Sequence, residues 1–290
     1  MSGISFVLVD AQKRTVLRTV TLAGSQFDAE PTANGLVTLL GPAKGIGTAR
    51  IAVAHADGTV RTAPLPGVSV GSRRMGTGSD PTVRSVIPGF ATDPSGTIAV
   101  AVTAGNRAVS VDLETLAATT HVLTERTIQR VEKSIQGPQR YARWVGDGLL
   151  AVGGSDWSMD ADKHVSARAA GVRLVDTRTW TMRTLDADNS AFSFAPGVVL
   201  TYGGSWSAAA RTYTGVHAYA LDGELRWSLY EGQDAYAPVH GSLVYVQRYL
   251  GANRPDRLDV VDPATGAVLG GRTWRRGQAL PTLYAGDRST

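Results

Sequence analysis

"GFATDPSGTIAVAVTAGNRAVSVDLETLAATTHVL", residues 89–123, contains four short β-forming runs separated by turn residues. The breaks fall at Asp93-Pro94-Ser95-Gly96, at Thr103 to Asn106 and at Asp112 to Thr115. Runs this short, bounded by Gly, Pro, Asn and Asp, are strands and not helices. Consecutive strands joined by tight turns make an up-and-down antiparallel sheet, so this stretch predicts one four-stranded unit.

The second half of the unit, strand, Asp-bearing turn, strand, recurs along the chain. It is "FVLVDAQKRTVLRTVTL" from Phe6, "IAVAHADGTVRTAPL" from Ile51, "AVSVDLETLAATTHVL" from Ala108, "VRLVDTRTWTMRTLD" from Val172, "VHAYALDGELRWSLY" from Val216 and "LDVVDPATGAVLGGR" from Leu258. The turn aspartates are Asp10, Asp57, Asp112, Asp176, Asp222 and Asp262, spaced 40 to 64 residues apart. An aspartate there accepts backbone N–H groups one or two residues on, which is a structural role. Five copies are preceded by another strand pair, among them "RYARWVGDGLLAVGG", "SFAPGVVLTYGG" and "AYAPVHGSLVYV". Four strands per unit at this period predict an all-β fold, a β-propeller of four-stranded antiparallel blades. Six blades are expected, with seven the alternative, in a single domain over residues 1–290. The first copy lacks inner strands, so "ALPTLYAG" at 279–286 is expected to close the ring across the termini.

Composition agrees. The chain of 290 residues is 43% hydrophobic and only 19% charged, with 33 Gly and 13 Pro, enough apolar residue for a core and enough punctuation for many turns. The net charge of +4 is scattered, with no basic run longer than Arg73-Arg74 or Arg275-Arg276, so nucleic acid is not expected as a partner. Only Lys13, Lys44, Lys133 and Lys163 among 29 basic residues are lysine, a bias that suggests a GC-rich bacterial genome. With no cysteine, disulfides, thiolate nucleophiles and Cys-ligated metal centres are excluded. Neither a signal peptide nor a membrane span is read in "MSGISFVLVDAQKRTV" or beyond it; removal of a leader would place the chain outside the cell or in its envelope.

Three connections exceed turn length. Residues 66–85, rich in Gly and Ser, read as an exposed loop. Residues 124–137 place Ile128, Val131 and Ile135 at helical spacing and predict a short amphipathic helix. The third connection, 155–170, follows "AVGGSDW", which has a second copy in "TYGGSW" at 201–206.

In a four-stranded blade, the loop from strand two to strand three and the loop between blades emerge on one face, at the mouth of the central channel. The turn aspartates lie on the other. Long loops of the recognition face carry Trp157, His164 and Arg168, then Trp206, Arg211 and Tyr213, then Arg248, Tyr249, Arg254 and Arg257. Aromatic rings give flat apolar area and Arg gives a planar donor fork, so Trp157, His164, Arg168, Trp206, Arg211, Tyr213, Arg248 and Tyr249 are the candidate ligand-binding set. The competing reading makes each Trp a packing wedge repeated from blade to blade.

Catalytic signals are weak. Asp156, Asp160, Asp162 and His164 match neither a calcium loop nor a zinc helix. The histidines His55, His121, His164, His217 and His240 lie on different repeats, and there is no G-x-S-x-G elbow. "GPAKGIGTAR" at 41–50 lacks the lysine of a phosphate loop and reads as a hairpin connection. No catalytic residue, metal or cofactor is assigned.

"ALDGELRWSL", "PVHGSLVYVQ" and "LDVVDPATGAVL" resemble the repeats of quinoprotein-like (PQQ-like), YVTN and WD40-like bacterial propellers. The segments "GIGTARIAVAHADGTVRTAPL", "GLLAVGGSDW" and "TYGGSW" resemble a group of actinobacterial propeller proteins. The resemblance implies the fold and leaves the activity open. Quinoprotein blades carry a docking tryptophan after the turn glycine; only Trp227 after Gly223 fits, which argues against a bound quinone. Lactonase-like propellers would need converging acids and Asn or His; Asp93, Asp234 and His240 are near inner strands, but nothing in the sequence pairs them. The expectation is a monomeric binding or scaffold protein for a protein or small-molecule ligand, with a lactonase-like hydrolase as the alternative.

Overall fold

The computed structural model describes residues 3–33, 35–75, 82–105, 107–125, 137–159, 164–207, 210–250 and 256–273. These residues are all-β, and no helix occurs among them. The chain divides into two compact units, Met1–Trp144 and Val145–Thr290.

In the first unit, β1 (Gly3–Asp10) and β2 (Thr15–Ala23) form a two-stranded sheet. Then β3 (Ser25–Thr32), β4 (Gly35–Gly41), β5 (Gly45–His55), β6 (Val60–Met75) and β7 (Thr82–Val86) pair antiparallel in chain order. The opening stretch forms the predicted four-stranded sheet of β8 (Gly89–Thr92), β9 (Ile98–Val102), β10 (Arg107–Asp112) and β11 (Ala118–Val122). Two further strands, β12 (Thr124–Glu125) and β13 (Gly137–Gly146), flank residues 126–136.

In the second unit, β14 (Leu149–Met159) pairs both with β15 (Val165–Ala169) and with β16 (Val172–Asp176), and β16 pairs with β17 (Thr181–Asp186). The next sheet contains β18 (Ala191–Ala195) and β19 (Val198–Tyr202); the chain then leaves it as β20 (Gly204–Trp206) and β21 (Arg211–Tyr213) before returning as β22 (Val216–Ala220) and β23 (Leu225–Leu229). The last sheet holds β24 (Asp234–Tyr236), β25 (Val239–His240), β26 (Leu243–Tyr249), β27 (Arg257–Val261) and β28 (Val268–Thr273).

Burial falls from the inner strands to the outer ones. All five residues of β19 are buried, whereas all of β28 is exposed. Central strands are therefore covered on both faces, and apolar runs replace strict alternation there. Phe90 packs with Val37, Leu39, Ile51 and Val109 in the first unit; Leu200, Val216, Val244 and Val261 pack together in the second. Each such side chain contributes about 1.5–3 kcal/mol by leaving water.

The aspartate turns behave as the sequence predicts. Asp10, Asp57, Asp112, Asp176, Asp222 and Asp262 each accept a backbone N–H from within the next three residues, at 2.7–3.0 Å. These backbone hydrogen bonds hold the Asp112 and Asp262 carboxyls below the usual range. Three of the turns are also grasped from the preceding sheet. Arg61 donates to Glu114 O, Arg183 to Leu221 O and Asp222 O, and Trp227 Nε1 to Pro263 O at 2.9 Å. Trp227 thus docks one sheet onto the next turn, and its indole fills the space a Cβ at Gly266 would need.

One expectation about connections changes. Residues 66–75 are not an exposed loop: β6 runs through them, Val68 and Val70 are buried, and β7 pairs alongside. Alternation of valine with Gly and Ser, a period of two, outweighs the Gly and Ser content there. The helix expected over 124–137 falls on 126–136, outside the described residues, and its flanks are strand. The closing segment 279–286 likewise lies outside them. The connection at 41–50 is a hairpin between β4 and β5.

Candidate functional site

The Gly-Gly-Ser motif is a pivot. In the first copy, Leu149–Val152 of β14 pairs with β16, the chain turns through Gly153-Gly154, and Ser155–Met159 pairs instead with β15. Gly154 has φ +145°, a conformation open to glycine. In the second copy, Gly203 (φ +102°) and Gly204 (φ +134°) carry the chain out of β19 into β20. A Cβ at Gly204 would lie 2.0 Å from Thr212 O, so only glycine permits the β20–β21 pairing.

The two redirected hairpins meet. Ala167 of β15 pairs with Trp206 of β20, so β14, β15, β20 and β21 form one continuous extension. Residues directly opposite on antiparallel strands share a face. The row Trp157, Ala167, Trp206, Arg211 crosses all four strands, and Tyr213, two residues from Arg211, lies on the same face. Strands β14 and β20 are two steps apart, about 10 Å. Their indoles nevertheless meet edge to face, with centroids 5.6 Å apart and planes at 79°, because the residue between them is alanine. Ala167 is buried beneath the pair, while Trp206 stays 37% exposed.

Beyond the indoles the row continues in polar groups. Arg211 Nη1 donates to the Tyr213 hydroxyl at 3.2 Å. Asp234 stands opposite Tyr249 of β26, which is 44% exposed. Burial pushes the Asp234 carboxyl up, against the opposing pull of Tyr213 and Arg211.

The candidate residues therefore separate. Trp157, Trp206, Arg211 and Tyr213 share one face, while Tyr249 stands opposite Asp234 in the last sheet. Arg168 stands opposite Asp156 on the reverse face, where Ser158 and Ser166 are 2.8 Å apart. His164 is exposed at the start of β15. Arg248 turns inward: its Nη2 lies 2.9 Å from the buried carboxylate of Asp259, its Nη1 donates to Gln233 at 3.0 Å, and its guanidinium sits 4.1 Å over the Tyr230 ring. Arg257 shares Asp259 at 2.7 Å, and burial with Asp259 nearby pushes the Tyr230 hydroxyl up to about 12. Asp160, Asp162 and Arg254 lie outside the described residues.

Sequence reasoning missed one polar cluster. Buried Asp186 accepts from His217 Nδ1 at 2.8 Å, Thr201 Oγ1 at 2.6 Å and Asn189 Nδ2 at 2.9 Å; His217 Nε2 faces Glu231 at 3.1 Å. Despite the opposing effect of burial, these bonds hold Asp186 well below the ordinary carboxylate range, and the Asp186 bond raises His217. Apart from Asn189, three residues on, the partners of Asp186 come from the next repeat, so local spacing carries little trace of them. Asp93, considered for a lactonase-like site, accepts from Ser95, from the Thr97 amide at 2.8 Å and from the Ile98 amide at 2.7 Å within its own turn.

No protein-family model and no curated protein sequence matches the chain. Among solved structures, it is similar to the β-propeller domain of the trilobed protease of Pyrococcus furiosus, with 10% identity, 86% of this chain and 72% of that one covered, and a TM-score of 0.47. It is similar to an oligogalacturonate lyase of Vibrio parahaemolyticus, with 14% identity, 94% and 72% covered, and a TM-score of 0.47. A third is the acylaminoacyl peptidase of Pyrococcus horikoshii, with 12% identity, 86% and 39% covered, and a TM-score of 0.47.

Proposed function

We propose that the chain is a single β-propeller domain that acts as a non-catalytic binding module, with the Trp157–Trp206 extension as its ligand face. The six repeated aspartate turns, the meandering sheets and the inner-to-outer fall in burial support six blades. Among the described residues β1–β2 pairs with no further strand, and Val7 and Val9 are about half exposed, which supports closure of the first blade by residues 279–286.

The observation that carries the binding reading is the indole pair over Ala167. Two hairpins leave their own sheets to build it, and the one tryptophan that bonds the next sheet's turn, Trp227, is a different residue. Aromatic faces set beside Arg and Tyr are the composition of recognition surfaces.

The test is a thermal-shift screen of wild type, Trp157→Ala and Trp206→Ala against sugars, lactones, acidic peptides, quinones and divalent metals. The reading expects a ligand that stabilises wild type and neither variant. Failure of every probe, with both variants strongly destabilised, would make the indoles packing elements and overturn it.

A further inference from the structure

In the first unit, the sheet of β1 and β2 faces the sheet of β3–β7 across a cleft that neither fills. Its volume is about 330 Å³, within the range of small-molecule sites. The register sets Ile4 opposite Leu22, Phe6 opposite Val20 and Leu8 opposite Arg18, so these six side chains share one face. All but Leu22 line the cleft. Across it, Leu36, Ala54 and Val60 form one row of the second sheet, and Gly35, Ala56 and Gly58 lie beside them. Facing sheets interdigitate at a spacing of about 10 Å. Here large residues on one side meet glycine and alanine on the other, and a gap remains.

The cleft is apolar along its length and cationic at one end. From Ile4 to Leu8 the strand covers about 13 Å, the reach of an alkyl chain of about eight to ten carbons. At the Leu8 end, Gly58 (φ +81°) lets the β5–β6 turn lie against Arg18: a Cβ there would be 2.9 Å from Arg18 Cδ and 3.2 Å from Leu8 Cδ2. Arg18 is exposed, and no hydrogen bond or ion pair joins it to another described residue. None of the residues lining the cleft is acidic. Asp57, in the neighbouring turn, gives its Oδ1 to the Thr59 amide at 2.8 Å and to the Thr59 hydroxyl at 2.7 Å. A guanidinium is a planar donor fork matched to a carboxylate, so an apolar chain along the cleft and a carboxylate at its end satisfy both features.

We propose that this cleft is a binding site for a medium-chain carboxylate, with the chain between Phe6 and Ala54 and the carboxylate on Arg18. It shares no residue with the Trp157–Trp206 face, so either site can fail alone.

Isothermal titration calorimetry of the full chain with octanoate, octan-1-ol, octyl phosphate and acetate tests this. Wild type, Arg18→Gln, Arg18→Lys and Ala54→Leu are compared, with melting temperatures recorded for each. The proposal expects saturable octanoate binding that Arg18→Gln weakens by about tenfold while octan-1-ol binding changes by less than about twofold. Arg18→Lys, which keeps the charge and loses the fork, should recover part of the loss. Ala54→Leu fills the gap and should abolish binding of both. Should Ala54→Leu not fold, the Arg18 variants decide, because that side chain is exposed. Equal weakening of octanoate and octan-1-ol by Arg18→Gln would overturn the carboxylate contact. Octyl phosphate bound in place of octanoate would overturn the choice of headgroup, and acetate bound as tightly as octanoate would overturn the role of the cleft. Octanoate binding unchanged in folded Ala54→Leu, or absent in folded wild type, would overturn the site.

Discussion

Ala167 is the smallest side chain in the row and decides what the two tryptophans can do. Replacing it with leucine puts four carbons' worth of branched chain between indoles whose centroids are 5.6 Å apart. Ala167→Leu should separate the rings, shift tryptophan emission to longer wavelength and cost about 1–3 kcal/mol; unchanged emission would mean that the pair does not meet over this residue. His217 gives a second test. Its raised value means that its contribution is complete below the ordinary imidazole range and fades as pH rises through the raised value. Asp186, held low, contributes above the ordinary carboxylate range and loses its effect only as pH falls through the depressed value. His217→Gln should therefore cost about 1–3 kcal/mol near pH 5–6 and less towards pH 9, seen as converging denaturation midpoints. A constant difference across that range would show that the Asp186 contact does not depend on the imidazole proton. At this scale the aspartate turns were legible, because each hydrogen bond is local. The Trp157–Trp206 contact was legible only as a repeated word, since the register that joins β15 to β20 is a long-range fact.

At the scale of elements, pairing depends on where glycine allows the chain to turn. Gly204→Ala would drive a Cβ into Thr212 O, so β20 and β21 should part while β18, β19, β22 and β23 stay folded. Hydrogen exchange should quicken over residues 204–213 and not over 216–229; equal loss in both would show that the extension and its parent sheet form one cooperative element. Trp227→Ala removes both the indole and its bond to Pro263 O and should cost about 3 kcal/mol in a denaturant titration. A loss under about 1 kcal/mol would mean the docking is incidental. Strand content was legible from turn spacing, and the four-stranded sheet of residues 89–122 appears as read. The misreading at 66–75 came from weighing composition over period: Val68 and Val70 alternate, and a strand follows. The split of the candidate residues between two faces was out of reach because strand alternation assigns sides only once the pairing partner is known. Arg168 and Trp157 lie on neighbouring strands and still face opposite ways.

For the whole molecule, the proposal is that the repeated sheets close into one ring and that two displaced hairpins build its ligand face. Deleting residues 279–290 should lower the melting temperature of the entire chain in one transition, because an unclosed blade leaves β1 with a bare edge. An unchanged melting temperature would remove closure through that segment. The six aspartate-turn repeats are the sequence signature of the sheets, whereas the proposed ligand face depends on the long-range pairing of β15 with β20. The most direct measurement is a hydrogen-exchange footprint of the full chain with and without the best stabilising compound from the ligand screen. The account predicts protection over residues 155–158, 165–169 and 204–213. Protection confined to the aspartate turns, with the Trp157–Trp206 extension unchanged, would contradict it.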